Sequence, residues 1–149
     1  MSPQPERPTA ADVALERLFE VAVLLTDGME QGLAARGLTR ARAELVWRLG
    51  RSGPLTQRDL SRALACTPRN ITGLVDALET GGLVARRPHP SDRRATLVTL
   101  TQRGGRAAAR MHTDYRKLAA SLFDDLDAAE LDGLVAGLDQ VRGRLGAGR

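Results

Sequence analysis

Arg69, Asn70, Thr72 and Gly73 carry the chemistry needed to read the edge of a base pair. Arginine can donate two hydrogen bonds to guanine, asparagine can pair bidentately with adenine, and threonine can bond a base or pack on a thymine methyl. Gly73 leaves room for close approach. These residues interrupt an apolar series, Ile71, Leu74, Val75 and Leu78, whose i, i+3, i+4, i+7 spacing predicts the inward face of a helix. The polar residues and Asp76 then share its outward face. Thr67 is a favoured N-cap, and Pro68 suits the first helical position because its missing N–H would have no partner there. Pro68 also adds apolar bulk beside a helix N-terminus, whose free N–H groups favour phosphate. Gly81 and Gly82 end the helix.

A second basic group lies further along the chain. Arg86 and Arg87 precede, and Arg93 and Arg94 complete, a tip stiffened by Pro88 and Pro90. The flanking stretches at 83–87 and 96–100 read as two strands. Leu97 and Thr99 alternate there with Val98 and Leu100, so one face can pack on a core. Arginine on a projecting loop suits the narrow minor groove, where negative potential is enhanced. Asp92, two residues before Arg94, is expected to orient that guanidinium by a paired bond. Helix, turn, helix and basic hairpin form the layout of a winged helix-turn-helix, which lays its second helix in a major groove. Double-stranded DNA is the partner these residues imply.

Charge is concentrated where this reading needs it. The formal net charge is only +4, but residues 40–110 hold 14 Arg against five acids, between two flanks that are each net acidic. Lys117 is the one lysine, so the preference for Arg over Lys runs through the whole chain, whereas its central clustering does not. A basic block between acidic flanks focuses positive potential on one part of a fold.

Catalysis finds little support. His89 and His112 are the two histidines, and neither has a metal-ligand spacing to the other or to Cys66. No Gly-rich phosphate loop succeeds a strand, so no enzyme activity, metal or cofactor is expected. A single cysteine forms no internal disulfide, and no apolar run approaches the ~20 residues of a membrane span. With no signal-peptide pattern either, a cytoplasmic protein without a membrane partner is expected.

Periodicity and caps define the carrying elements. Residues 1–9 hold three prolines and read as a mobile tail. Val13, Leu18, Ala22, Leu25, Met29 and Leu33 predict a long helix over residues 10–36. Thr39 caps a helix through Leu49 with Ala43, Val46, Trp47 and Leu49 inward, ended by residues 50–54. Thr56 and Asp59 make a capping-box pattern for a short helix that buries Leu60, Ala63 and Leu64, and Ala65-Cys66 forms its turn. Thr101 caps a helix to about Phe123. A last helix from Asp127 to about Leu145 bears Leu131, Leu134, Val135, Leu138 and Val141 as an apolar stripe. Aromatics make up 3% of residues, so the core must come from Leu, Val and Ala. A small domain gains by burying such stripes on a second copy. Leu18, Leu25, Leu131, Leu134, Leu138 and Val141 are therefore the expected homodimer seam.

At the wing the chain resembles the multiple-antibiotic-resistance regulator (MarR) family of bacterial transcription factors. Asp92-Arg93-Arg94 leads to Val98, Leu100-Thr101 and Gly104, as in that family's Asp-x-Arg tip and Leu-Thr-x-x-Gly exit. Residues 70–79 and Gly82-Leu83-Val84 look like its recognition helix and the exit from that helix. The resemblance implies a mainly α fold with a small β-hairpin wing. One domain over residues 10–149 would hold a DNA-binding lobe at 39–104 and dimerisation helices at 10–36 and 105–145. It further implies a homodimer on a palindromic operator, commonly a repressor released by a small anionic or aromatic effector or by oxidation. Oxidation-sensing members keep a reactive Cys in the first helix, which here has none. No residue identifies a ligand. Two other readings are a redox-sensing regulator using Cys66, whose place before a helix could lower its thiol pKa, and a winged-helix module for protein contacts. The second would need an apolar or acidic face where this one is Arg, Asn and Thr.

Overall fold

Threonines start most of the helices. In the computed structural model, which describes residues 7–147, Thr9, Thr39, Thr56 and Thr67 each have extended backbone geometry and accept a hydrogen bond from the N–H three residues on. The helices they open are α1 (Ala10–Ala34), α2 (Arg40–Ser52), α3 (Gln57–Ala63) and α4 (Pro68–Thr80). The short strand β1 (Leu55–Thr56) lies between α2 and α3, and β2 (Val84–Pro88) and β3 (Thr96–Leu100) come after α4. Then come α5 (Gln102–Phe123) and α6 (Ala128–Ala147). Thr101 Oγ1 accepts the Gly104 N–H at 3.0 Å at the start of α5. The expectation of a mobile stretch at 1–9 falls partly on residues 1–6, outside the described residues; Thr9 is the N-cap of α1, in a reciprocal box with Asp12.

The fold is mainly helical with a small antiparallel sheet, as the sequence implies, and the chain divides after Gly105 into two compact units. In the first, the strand order is β1-β3-β2, with Val84 opposite Leu100, Arg86 opposite Val98 and Leu55 also opposite Val98. The core combines Leu45, Val46 and Leu49 of α2, Leu60 of α3, Ile71, Val75 and Leu78 of α4, and Val84 and Val98 of the sheet. Burying each such side chain stabilises the fold by roughly 1.5–3 kcal/mol.

Three details differ from the sequence reading. Leu45 is fully buried and joins the inward set, because α2 packs against α1, α4 and β3 rather than on one side only. Trp47 is half-buried. Ala63 is exposed, since α3 is short and ends with the cap at Leu64. The turn to α4 places Ala65 at φ 49, and Ser61 secures it by donating to the Cys66 carbonyl at 2.5 Å.

In the second unit Asp127 and Glu130 cap the N-terminus of α6 reciprocally, by bonds of 2.8 and 3.0 Å. No helix of the described residues is long and apolar enough to cross a membrane.

The exit of α4 is tied to the first turn of α5. Arg103 Nη1 donates to the Gly81 carbonyl at 3.1 Å, Thr101 Oγ1 to the Gly82 carbonyl at 2.7 Å, and Thr101 N–H to the Leu83 carbonyl at 3.1 Å. The approach is so close that a Cβ on Gly104 would lie 1.9 Å from the Leu83 carbonyl oxygen. Gly104→Ala should therefore cost at least about 2–3 kcal/mol of unfolding free energy, because a main-chain atom must move. Gly105→Ala, whose Cβ meets nothing within 4 Å, should instead raise stability by up to about 1 kcal/mol through helix propensity. Urea unfolding of both variants checks the contrast; equal effects would refute it.

Candidate nucleic-acid interface

The inward face of α4 is fixed by Ile71, Val75 and Leu78, all essentially inaccessible to solvent. Helical geometry then turns Arg69, Asn70, Thr72 and Gly73 outward, and each is exposed, as are Thr67 and Pro68 at the N-terminus. Thr67 accepts the Asn70 N–H at 3.2 Å, so its hydroxyl belongs to the cap. Thr72 is engaged as well: it donates to the Pro68 carbonyl at 3.0 Å and accepts from Gln57 Nε2 at 3.0 Å.

Arg86 does not join this outward set. Its half-buried guanidinium is held against the protein by Asp76, at 2.5 Å, and by Glu79, and its Nε donates to Gln57 Oε1 at 3.3 Å. Its main-chain N–H also donates to Glu79, at 3.1 Å. Burial pulls the Arg86 pKa down, but the hydrogen bonds and charges of Asp76 and Glu79 outweigh this and raise it above the ordinary arginine value. The sequence groups Arg86 with the DNA contacts; the structure makes it a clamp between β2 and α4. The reason is geometric, since β2 runs back beside α4 and brings Arg86 to the two acids on that helix.

Arg87, Arg93 and Arg94 are exposed on the wing. The tip is built by side chains bonding to main chain. His89 Nδ1 accepts the N–H groups of Ser91 and Asp92, at 3.2 and 3.1 Å, while the His89 N–H donates to the Ala95 carbonyl at 3.1 Å. Asp92 Oδ1 accepts the main-chain N–H of Arg94 at 2.9 Å. This corrects the expected guanidinium pair: at two residues' separation the carboxylate reaches the backbone first, so Asp92 shapes the turn and leaves the Arg94 head exposed.

Gln57 and Glu79 have no role in the sequence reading. Gln57 is 15 positions from Thr72 and 29 from Arg86, so no local pattern joins them. Behind the site, the Thr56 hydroxyl donates to Asp59 at 2.6 Å and holds that carboxyl below its ordinary pKa. Cys66 is a half-buried free cysteine in the turn. Among the described residues no three His, Cys, Asp or Glu side chains gather as metal ligands.

A capped helix with a polar outward face, joined to a basic two-stranded wing on a three-helix core, defines a winged helix-turn-helix protein. Residues 38–96 match the model of the MarR family. It is 33% identical over 105 residues to the transcriptional activatory protein BadR of Rhodopseudomonas palustris, a match covering 64% of this chain and 60% of BadR's own length. Its fold is similar to AbsC, a MarR family transcriptional regulator from Streptomyces coelicolor, with a TM-score of 0.75 at 25% identity over 95% of this chain and 99% of AbsC. It is also similar to Streptococcus pneumoniae FabT in complex with DNA, with a TM-score of 0.77 at 18% identity over 91% and 99% of the two chains, which speaks to the fold alone.

The Arg86 clamp can be measured without any ligand. Arg86 is about a quarter exposed and its partners more so, so solvent screening keeps its worth modest. Arg86→Gln should cost about 1–2 kcal/mol in chemical unfolding, within the range of hydrogen bonds to charged groups. In a double-mutant cycle, Glu79→Gln should show a coupling of at least ~0.5 kcal/mol with Arg86→Gln. Strict additivity would show that the clamp contributes nothing.

Proposed function

We propose that this chain is a DNA-binding transcriptional regulator that acts as a homodimeric repressor on a palindromic operator. The single observation that carries this reading is the rigid outward face of α4. Arg69, Asn70, Thr72 and Gly73 stand exposed on a helix whose rotation is set by a fully buried inner face. Beside it a wing offers Arg87, Arg93 and Arg94. A helix aimed at base edges with flanking arginines for phosphate and minor groove is the division of labour that specific DNA recognition needs. FabT, of similar fold, has been crystallised with DNA. The role is that of a binding protein and not of an enzyme, acting in the cytoplasm where its operator lies. Release by a small anionic or aromatic effector accords with the family.

The second copy is supported by apolar surface. Helix α1 has no buried residue, although Leu18, Phe19, Leu24 and Leu25 lie along it. Helix α6 also has none, and exposes Leu134, Leu138 and Val141, with Leu131 half-buried. Exposed apolar stripes of this extent support a second copy as their partner. Substituting Asp at both Leu134 and Leu138 should give monomer or aggregate in sedimentation and abolish operator binding. A dimeric, fully binding double variant would overturn the seam.

DNA selected by the protein from a random pool should converge on an inverted repeat with half-sites about one helical turn apart. Affinity should fall steeply with salt as arginines release counterions. Arg69→Ala and Asn70→Ala should each reduce discrimination by roughly 1–3 kcal/mol at one base pair per half-site. A pool that converges on no sequence would overturn the function; uniform weakening over all sequences would make these two residues phosphate contacts.

A further inference from the structure

We propose that Thr72 reads the 5-methyl group of a thymine, with Gln57 as the positioning residue that commits it to that contact; this rests on the regulator reading above. A threonine hydroxyl has one proton to donate and two lone pairs to accept with. The Thr72 proton goes to the Pro68 carbonyl, which can only accept, at 3.0 Å. One lone pair takes the Gln57 amide N–H, also at 3.0 Å. The orientation of that amide is not free. Its oxygen accepts from Arg86 Nε, and a guanidinium has donors only, so the amide nitrogen must face Thr72. Arg86 is in turn anchored by Asp76 and Glu79. A chain of one-directional bonds thus runs from two carboxylates through Arg86 and Gln57 to the Thr72 hydroxyl.

The consequence is chemical. The hydroxyl has no proton left for guanine O6, thymine O4 or a purine N7. A β-branched side chain held by two hydrogen bonds is also fixed in χ1. What the exposed Thr72 has left for a base is its Cγ2 methyl and a single lone pair, beside Gly73, around whose absent side chain nothing lies within 4 Å. In the major groove a methyl finds its apolar counterpart on thymine alone among the four common bases.

The test leaves the protein intact and edits the DNA. In the selected operator each thymine is replaced singly, in both half-sites, by deoxyuridine, which lacks only the methyl. One thymine position per half-site should lose about threefold to fivefold in affinity, the scale of burying one such group. Thr72→Val, which keeps the methyl and discards the hydroxyl, should keep the same thymine-to-uracil ratio whatever its overall affinity. Thr72→Ser should bind both bases equally at that position, and Gln57→Ala should lower the ratio by freeing the hydroxyl for polar contacts with other bases. Insensitivity to deoxyuridine at every position in a wild-type protein that binds its operator would overturn the proposal. So would an unchanged ratio in Thr72→Ser, or loss of the ratio in Thr72→Val, which would assign the contact to the hydroxyl. Failure to select any operator would overturn the regulator reading itself, and is distinguishable from all of these.

Discussion

Everything at the candidate interface depends on how α4 is seated. Ile71, Val75 and Leu78 are buried to within 1% of complete exclusion from solvent, packed among residues of α2, α3 and the sheet. With successive side chains about 100° apart around a helix, that inner stripe leaves no rotational freedom for the rest. Arg69, Asn70, Thr72 and Gly73 point outward as a geometric consequence of that packing. Specific recognition tolerates little rotational play, and a helix seated on aliphatic packing has little to give.

Polar contacts refine what packing establishes. The helix proposed to meet DNA carries two acids, Asp76 and Glu79, which left alone would repel phosphate. Arg86 offsets both from the neighbouring strand. The basic central block is therefore divided: one of its arginines serves intramolecular charge balance, while Arg69, Arg87, Arg93 and Arg94 stand exposed. The same arginine extends order to Gln57 and Thr72, so electrostatic balance and side-chain orientation share one network.

The helices and wing are legible in the residues themselves. Threonine caps, the 71–74–75–78 series and the alternation at 96–100 are local signals, and each marks a real element. What escapes such signals is set by partners distant in the chain. Two residues, Leu55 and Thr56, cannot show a period, so β1 emerges only when β3 is present to pair with it. Arg86 reads as one more basic residue until β2 turns back along α4. Asp92 is legible as an organiser of the wing, but its choice of main-chain N–H over guanidinium depends on turn geometry that composition does not encode. Leu45 enters the core because α2 is flanked by α1, α4 and β3 together, a fact of topology rather than of pattern.

The three carbonyls of Gly81, Gly82 and Leu83, all engaged by Thr101 and Arg103, make a joint with no slack. With the Gly104 backbone pressed against the last of them, the first turn of α5 can neither slide nor tilt independently of the exit of α4. Mechanically the junction is a weld and not a hinge. The first turn of α5 and the exit of α4 are in this sense one mechanical part, and the seat of the one is also the seat of the other.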